Sequence, residues 1–342
     1  MLVSFRMGNE TQFGVSLVIC TRNRFLKGVV LIKVLTKQKV PFPFEIIIVD
    51  ASDKEDIIQI IKKTLVLYRN SCEISYIHTS VGGLSIQRNI GLFYSRYQVI
   101  GYIDDDMVPK GKSWLKNMVE PILNGDTSIV AGRIQSKPNP SIIVNKQYEY
   151  LFSQFEPEIT ENKLIIDPFF VPVAGNLFFT KENIKMAGGF RPNLGRSFQN
   201  RYLSGEESEL LIFLRRNKNK LLFRSDSIVF HYLTNERLTR MCVTKRLFWQ
   251  GITDYLIYSH EPIFSRWWTE GWKRWIEWFD DLPNQSLFLL FLHTIYIFGW
   301  FCGFFYKNEK QFFFQEKKRP YSLLSSSVFQ NCDEWIRYGK KI

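Results

Sequence analysis

Continuous apolar runs alternate with helically spaced apolar positions through the first hundred residues. The runs at 15–20, 45–50 and 98–103 are rich in β-branched residues and predict strands buried on both faces. Between them, residues 25–37 and 84–97 carry apolar side chains at helical spacing. This alternation predicts an α/β fold with a mostly parallel, mixed sheet and helices on both faces.

The same alternation continues with shorter elements. Residues 73–78 predict a weaker strand, and a Gly-Gly loop at 82–83 precedes the helix that carries Arg88 and Asn89. Further elements are predicted as helices at 113–123, 181–186 and 207–216 and strands at 128–131, 171–180, 221–223 and 228–231. Residues 133–166 and 191–204 are less regular and predict loops at the edge of a site.

An acidic turn, Asp104 to Asp106, directly follows the strand at 98–103. Three adjacent carboxylates repel one another and cannot be buried unpaired. Mg²⁺ and Mn²⁺ prefer carboxylate oxygens, and open α/β sheets bind ligands beyond the carboxyl ends of their strands. The alternative is a solvated acidic turn before a helix that Pro109 begins.

Composition narrows the class of ligand. The 342 residues carry a net charge of +12, which attracts nucleic acid, acidic lipid or phosphorylated small molecules.

The 5 cysteines show no CxxC and no zinc spacing, which is typical of a reducing compartment. Residues 1–13 lack the apolar core of a signal peptide, so we expect the N-terminal part to be cytosolic.

Two familiar phosphate-binding motifs are missing from this pattern. No GxGxxG follows the first strand, and Gly111-Lys112-Ser113 resembles the end of a P-loop with Asp106 at the earlier glycine position. Phosphates would therefore need a metal and basic side chains.

Six segments in order resemble motifs of the family-two inverting glycosyltransferases, which have the GT-A (Rossmann-like) fold. They are the Thr-Arg-Asn turn after the first strand, IIIVDASD, GGLSIQRNIG, YIDDDMVP, VAGNLFFTKENIKMAGGF and GEESEL. The resemblance covers residues 15–232, and it implies a nucleotide-sugar donor and a divalent metal, Mn²⁺ or Mg²⁺.

The resemblance assigns roles to individual residues. It implies donor contacts for Thr21, Arg22, Asn23, Asp50, Arg88, Asn89, Asp104 and Asp105. It implies that Asp106 holds the metal, with Asp104 and His231 as further ligands.

The catalytic base lies in GEESEL by the same resemblance. The family motif is usually Glu-Asp, whereas this chain has Glu206-Glu207, so either residue can occupy the base position. Glu207 is the first candidate and Glu206 the second.

Each assignment has a structural alternative. Asp50 could cap the following helix, His231 could be a core histidine, and Arg88 could lie on a helix surface. Glu206 and Glu207 could simply favour a helix N-terminus through the helix dipole.

The chain beyond residue 235 lies outside the resemblance. Five tryptophans between residues 267 and 278 flank Lys273 and Arg274, a pattern typical of a membrane interface. Residues 286–306 contain no Asp, Glu, Lys or Arg and are long enough to span a bilayer. The basic residues that follow them favour the cytosol, where we expect the catalytic part, so we expect an in-plane or re-entrant segment rather than a crossing. The alternative is a buried core helix or a dimer contact.

These inferences predict two regions and one activity. Residues 13–235 form the nucleotide-sugar-dependent catalytic domain, and residues 236–342 form a helical, aromatic-rich, membrane-associated region at the cytoplasmic face of the membrane. The expected enzyme is a metal-dependent inverting glycosyltransferase of cell-surface polysaccharide or glycolipid synthesis, with a carbohydrate or lipid-linked acceptor and no nucleic-acid partner. The alternatives are a metal-dependent nucleotidyltransferase and a basic nucleic-acid-binding protein.

Overall fold

A mixed β-sheet forms the centre of the computed structural model, which describes residues 12–137, 157–167, 170–197, 202–232, 239–258, 287–308 and 334–338. Its strands are β1 (Gln12–Thr21), β2 (Phe44–Asp50), β3 (Glu73–His78), β4 (Tyr97–Tyr102), β5 (Met107–Pro109), β6 (Ile129–Lys137), β7 (Lys163–Ile165), β8 (Leu177–Thr180), β9 (Leu221–Tyr232) and β10 (Glu334–Tyr338). The helices are α1 (Leu26–Leu35), α2 (Glu55–Tyr68), α3 (Leu84–Tyr94), α4 (Trp114–Leu123), α5 (Lys181–Met186), α6 (Glu206–Arg216), α7 (Arg240–Tyr258) and α8 (Leu287–Asn308).

The strands follow the order β10-β3-β2-β1-β4-β8-β6-β9-β5, and β7 pairs with β9. Strands β3, β2, β1 and β4 are parallel, and so are β6 and β9. Strands β5, β7, β8 and β10 each run antiparallel to their neighbours. The predicted mixed sheet with helices is confirmed.

The hydrophobic core lies on both faces of the sheet. On β2, Ile46 and Ile48 pack into one cluster with α1, α2 and α4, whereas Ile47 and Val49 pack into another with α3, α5 and α6. Because successive strand residues point to opposite faces, a continuous apolar run matches a strand that is covered on both sides.

Strand β9 differs from the prediction of two short strands. Its pairing with β6 steps from Gly132–Arg224 to Arg133–Ile228, so residues 225–227 bulge out of one continuous strand. Those residues are the polar sequence Ser-Asp-Ser, which resembles a turn when no partner strand is known.

The C-terminal tail, from which no element was predicted, contributes an edge strand. Strand β10 pairs antiparallel with β3, with Trp335 opposite Ile77. The five predicted interface tryptophans between residues 267 and 278 lie outside the described residues, and the division of the chain at residue 235 stays a prediction.

Gly101 of β4 makes room for a large side chain from the neighbouring strand. It pairs with Phe178 of β8, and a β-carbon at Gly101 would overlap the Phe178 ring. We expect Gly101→Ala to lower the free energy of unfolding by ~1–3 kcal/mol, the usual cost of overpacking a core. Denaturant unfolding measures the change. Adding Phe178→Leu should recover part of the loss, and an unchanged midpoint for Gly101→Ala would contradict this packing.

Candidate active site

The carboxyl ends of β1, β2 and β4 meet at one edge of the sheet. In the parallel register, Thr21 of β1 lies beside Asp50 of β2, and β4 leads into the acidic turn. The Thr21 hydroxyl donates to Asp105 Oδ2 at 2.6 Å. The polar turn after β1 and the acidic turn therefore share the crevice in which open α/β sheets bind ligands.

Arg24 neutralises part of the acidic turn. Its Nη2 lies 2.8 Å from Asp105 Oδ1 and its Nη1 lies 2.9 Å from Asp106 Oδ2. Burial raises the pKa of Asp105 to about 7, although the charge of Arg24 opposes the shift. Asp105 and Asp106 are buried, so the alternative of a solvated acidic turn is wrong at these positions.

Burial also raises the pKa of Asp104, against the opposing charge of Arg88. Desolvation favours the neutral form of a carboxyl group, and a nearby cation restores the ionised form. Arg24 faces Asp105 and Asp106, and Arg88 is shared between Asp104 and the carboxylates of Glu206 and Glu207. Five carboxylates thus lie against two arginines, so the site still favours an additional positive charge.

His231 lies beside the acidic turn, on the strand that pairs with β5. Strands β5 and β9 pair with Met107 opposite His231, and His231 Nε2 lies 3.6 Å from Asp106 Oδ1. A carboxylate oxygen and an imidazole nitrogen are both ligands of divalent metals such as Mn²⁺.

A divalent cation fits this donor set as part of a larger complex. Within the described residues, no group of three or more His, Cys, Asp or Glu side chains is arranged to hold a metal ion by itself. Mg²⁺ sites typically use one or two carboxylates and complete the shell with substrate phosphates and water. Asp106 and His231 therefore match a cation that binds together with a phosphate-bearing ligand.

Arg88 connects the acidic turn to a second pair of carboxylates. Its Nη1 lies 2.6 Å from Glu206 Oε1 and 3.7 Å from Glu207 Oε2, and its Nη2 lies 3.6 Å from Asp104 Oδ1. The Arg88 side chain is only 3% exposed, so it is not part of an ordinary helix surface.

Glu206 and Glu207, the carboxylate pair, open helix α6 with different environments. Burial and the negative charge of Glu207 raise the pKa of Glu206 to about 8, against the charge of Arg88. The Glu206 side chain is 3% exposed, whereas that of Glu207 is 15% exposed. Glu206 is therefore the inner partner of Arg88, and Glu207 is the more exposed member of the pair.

Asp50 lies at the predicted edge, but its carboxylate is bonded within the chain. Oδ1 accepts from the Ser52 backbone N–H and Oδ2 accepts from the Tyr76 hydroxyl, both at 2.9 Å. The residue that precedes α2 is Lys54, so Asp50 does not cap that helix. A contact between Asp50 and a donor stays a prediction.

Asn23 joins the turn after β1 to the turn after β2. Its φ is +55°, and its Oδ1 accepts from the backbone N–H groups of Asp53 and Lys54 at 3.1 and 3.2 Å. Arg22 Nη2 lies 3.5 Å from Asp53 Oδ2. Both residues lie at the expected edge of the sheet. The two bonds that Asn23 Oδ1 accepts hold the turn after β1 against the turn after β2.

Asn89 joins α3 to the Gly-Gly-Phe turn. Its Nδ2 donates to the Phe190 carbonyl at 2.7 Å, and its Oδ1 accepts from the Phe190 N–H at 2.8 Å. The structure thus gives the Asn89 amide a structural role, and its donor contact stays a prediction.

Two residues of the site were not among the sequence-predicted set. Arg24 is the fourth residue of the Thr-Arg-Asn-Arg turn, and its pairing with the acidic turn depends on the tertiary fold. Gln87 donates to the backbone carbonyls of Thr21 and Val49, both at 2.9 Å, and so holds the ends of β1 and β2. In the sequence, the sign of a role for Arg24 and Gln87 is that each is next to a predicted site residue.

Comparison with known sequences identifies relatives of this chain. Residues 16–184 match the family described as Glycosyl transferase family 2. A hyaluronan synthase of Pasteurella multocida is 28% identical over 208 residues, which are 52% of this chain and 21% of that protein. A chondroitin synthase of Pasteurella multocida (strain Pm70) is 26% identical over 208 residues, with the same coverage of 52% and 21%. This chain therefore spans about a fifth of the length of these curated relatives.

Solved structures share the fold at low sequence identity. The mannosyltransferase PcManGT from Pyrobaculum calidifontis, in complex with GDP-Man and Mn²⁺, aligns with a TM-score of 0.56 at 12% identity, over 87% of each chain. GalNAc-T7 with UDP, GalNAc and Mn²⁺ aligns with a TM-score of 0.51 at 16% identity, over 72% of this chain and 51% of that chain. The expected GT-A fold is confirmed, and the expected resemblance to the family is confirmed over residues 16–184, just under half of the chain.

Proposed function

We propose that this protein transfers a sugar from a nucleotide-diphosphate sugar to an acceptor hydroxyl, with inversion at the anomeric carbon. The observation that carries the proposal is Arg88, which lies within 3.7 Å of both the acidic turn and the carboxylate pair. One group of carboxylates suits a metal and diphosphate, and the other suits proton transfer from an acceptor. The two groups are close enough to serve a single reacting centre.

The acidic turn is the proposed place of the divalent metal, Mn²⁺ or Mg²⁺. Asp106 and His231, whose Oδ1 and Nε2 lie 3.6 Å apart, would hold it together with the donor diphosphate, and Asp104, the third ligand that the resemblance implies, would join them from its place beside Arg88. Such a cation neutralises charge on a departing diphosphate. Asp105 is bonded to Thr21 and Arg24, so its proposed part is to orient the turn.

Glu207 is the proposed general base. An acceptor hydroxyl has a high pKa, so its attack on the sugar needs a positioned carboxylate on the face opposite the leaving group. Glu207 lies in the first turn of α6, at the positive end of the helix dipole, and Arg88 places a positive charge 3.7 Å away. One base and one displacement invert the configuration, as in inverting glycosidases.

The remaining predicted donor contacts surround this centre. Arg22 is the partly exposed cation of the β1 turn and suits the donor phosphates. Thr21, Asn23, Asp50 and Asn89 hold the crevice in shape through the bonds described above, and their direct contacts with the nucleotide or sugar are part of this proposal.

The proposed acceptor is a growing carbohydrate chain, because the curated relatives are synthases of hyaluronan and chondroitin. A lipid-linked carbohydrate is the second acceptor class. We therefore propose a role in cell-surface polysaccharide or glycolipid synthesis.

Metal dependence and donor use are tested together. With Mn²⁺ and a panel of UDP-sugars and GDP-mannose, we expect release of nucleoside diphosphate from one donor. A chelator should abolish the release, and Asp106→Asn should lower it by ~10²-fold or more because a charge-stabilising contact is lost. Asp226→Asn, at the exposed bulge of β9, is the matched control and should behave like wild type.

Two outcomes would contradict this assignment. Full turnover in the presence of a chelator would exclude the metal role of Asp104 and Asp106. Release of inorganic diphosphate from a nucleoside triphosphate would identify a nucleotidyltransferase instead.

The two members of the carboxylate pair are separated by matched amide substitutions. Glu207→Gln keeps the shape of the side chain and removes its basicity, so transfer should fall by ~10²–10⁴-fold with donor affinity nearly unchanged. Glu206→Gln should lower transfer less. The measurements are transfer rate and donor affinity for both variants. If Glu206→Gln is the more damaged variant, Glu206 is the base, and if neither loses transfer the mechanism fails.

A membrane surface is the proposed location, at its cytoplasmic face, through the region from residue 236 onward. Within the described residues, no helix is both long and apolar enough to cross a bilayer. Helix α8 instead exposes a row of large apolar side chains, the phenylalanine face, which comprises Phe291, Phe298, Phe301, Phe304 and Phe305. An exposed apolar surface of this kind suits a helix that lies in the plane of the membrane.

The phenylalanine face is tested by vesicle sedimentation. The full-length protein should sediment with anionic vesicles, because the net charge of +12 adds attraction to apolar insertion. The double variant Phe298→Ser and Phe305→Ser should remain largely in the supernatant. The control double variant Leu26→Ser and Leu67→Ser removes apolar side chains of at least similar exposure elsewhere and should still sediment. Equal sedimentation of both double variants would exclude this face.

A further inference from the structure

The N-terminus of α6 is held from behind by α7. Gly205, the residue before α6, has a φ of +89°, and a β-carbon there would contact the side chains of Thr253 and Ile257. Because α6 begins with the carboxylate pair, the position of α7 limits where the carboxylate pair can lie.

A chain of hydrogen bonds extends this contact into the C-terminal helices. The Ser204 hydroxyl donates to Gln250 Oε1 at 3.2 Å, and Gln250 Nε2 donates to Asp254 Oδ1 at 2.8 Å. The Tyr296 hydroxyl of α8 donates to Asp254 Oδ2 at 2.8 Å. We name Ser204, Gln250, Asp254 and Tyr296 the relay. The Ser204 backbone N–H also donates to Thr253 Oγ1 at 3.4 Å, so two bonds join this turn to α7.

Helices α7 and α8 form a firm support for the relay. A β-carbon at Gly251 would overlap the backbone at Tyr296 and Trp300, so the two helices approach at backbone distance. The rings of Tyr255 and Trp300 pack edge to face with centroids 5.0 Å apart. On the other side of α7, Ile252, Leu256 and Ile257 pack in one cluster with Ile212 of α6.

We propose that Gln250 and Asp254 are positioning residues, which fix the first turn of α6 and thereby the carboxylate pair relative to Arg88. The inference rests on the proposed function for its catalytic consequence. None of the hydrogen bonds given above for the four relay residues reaches the acidic turn. The relay therefore acts on the position of the carboxylate pair and leaves the acidic turn in place. Displacement of a catalytic group by about 1 Å costs ~10²-fold in rate.

The chemistry of the relay provides a rescue variant. Asp254→Ala breaks the connection between Gln250 and Tyr296. Asp254→Asn preserves it, because the Asn carbonyl can accept from Tyr296 while its amide donates to a reoriented Gln250. Gln250 then donates to the Ser204 hydroxyl, which can accept as well as donate.

The first measurement is amide hydrogen exchange in the full-length protein, which needs no transfer activity. Asp254→Ala should exchange about fivefold faster or more in the peptide that covers residues 204–210, as expected when an ordinary hydrogen bond is lost. Asp254→Asn should match wild type. Tyr296→Phe removes one hydroxyl without removing the ring, so it tests the relay even if Asp254→Ala folds poorly. Unchanged exchange in Asp254→Ala and Tyr296→Phe would overturn the relay.

The second measurement is steady-state transfer with the donor found above. Asp254→Ala and Gln250→Ala should lower kcat by ~10–100-fold with donor KM within about twofold, and Asp254→Asn should stay close to wild type. Thr294→Val, whose hydroxyl donates within α8 itself, is the control and should be unaffected. If Asp254→Asn loses as much as Asp254→Ala, the carboxylate charge rather than the relay matters, and the inference is wrong. If wild type transfers no sugar, the proposed function fails while the exchange experiment still decides the relay.

Discussion

Arg88 is a cation held out of water among carboxylates from two different parts of the chain. Its guanidinium also lies over aromatic rings, with its central carbon 5.4 Å from the centroid of Phe190 and 6.0 Å from that of Tyr102. Moving such a charge out of water is costly, and the cost is offset only by close, well-oriented partners. Glu206 at 2.6 Å supplies the main partner, so Arg88, α3 and the start of α6 must be placed together.

The carboxylates around Arg88 divide into partnered and accessible groups. Glu206 and Asp105 are buried against Arg88 and Arg24, and burial raises the pKa of each, as it does for Asp104. Glu207 and Asp104 are more exposed and lie at the longer distances of 3.7 and 3.6 Å from Arg88. Environments that separate otherwise similar carboxyl groups are how one site supports different acid and base roles.

The C-terminal helices contact α6 on one side and form an exposed apolar surface on the other. Helix α7 packs against α6 and against α8, and α8 turns its phenylalanine face to the outside. Helices α6, α7 and α8 all lie beyond the family match at residues 16–184. The pair formed by α7 and α8 therefore lies between α6, which carries the carboxylate pair, and the surface proposed for membrane contact.

Much of the fold could be predicted from periodicity because burial on both faces of a strand leaves a continuous apolar run, as at residues 45–50. The continuous β9 and the edge strand β10 could not, because both depend on a partner strand that lies far away in sequence. The order of motifs also placed the acidic turn, His231 and the carboxylate pair in one site. In the structure, His231 lies beside the acidic turn and Arg88 joins that turn to the carboxylate pair, and the chemical roles of these residues stay predictions.

By itself, the sequence determined the family resemblance, the strand ends that bear polar residues and the identity of the acidic groups, since each is a local pattern. Only the tertiary structure decided which of those groups face each other. Arg24 on the acidic turn, Glu206 rather than Glu207 as the inner partner of Arg88, and α7 behind Gly205 are contacts between segments distant along the chain. Their geometry follows from the packing of helices and strands, which local residue patterns do not specify.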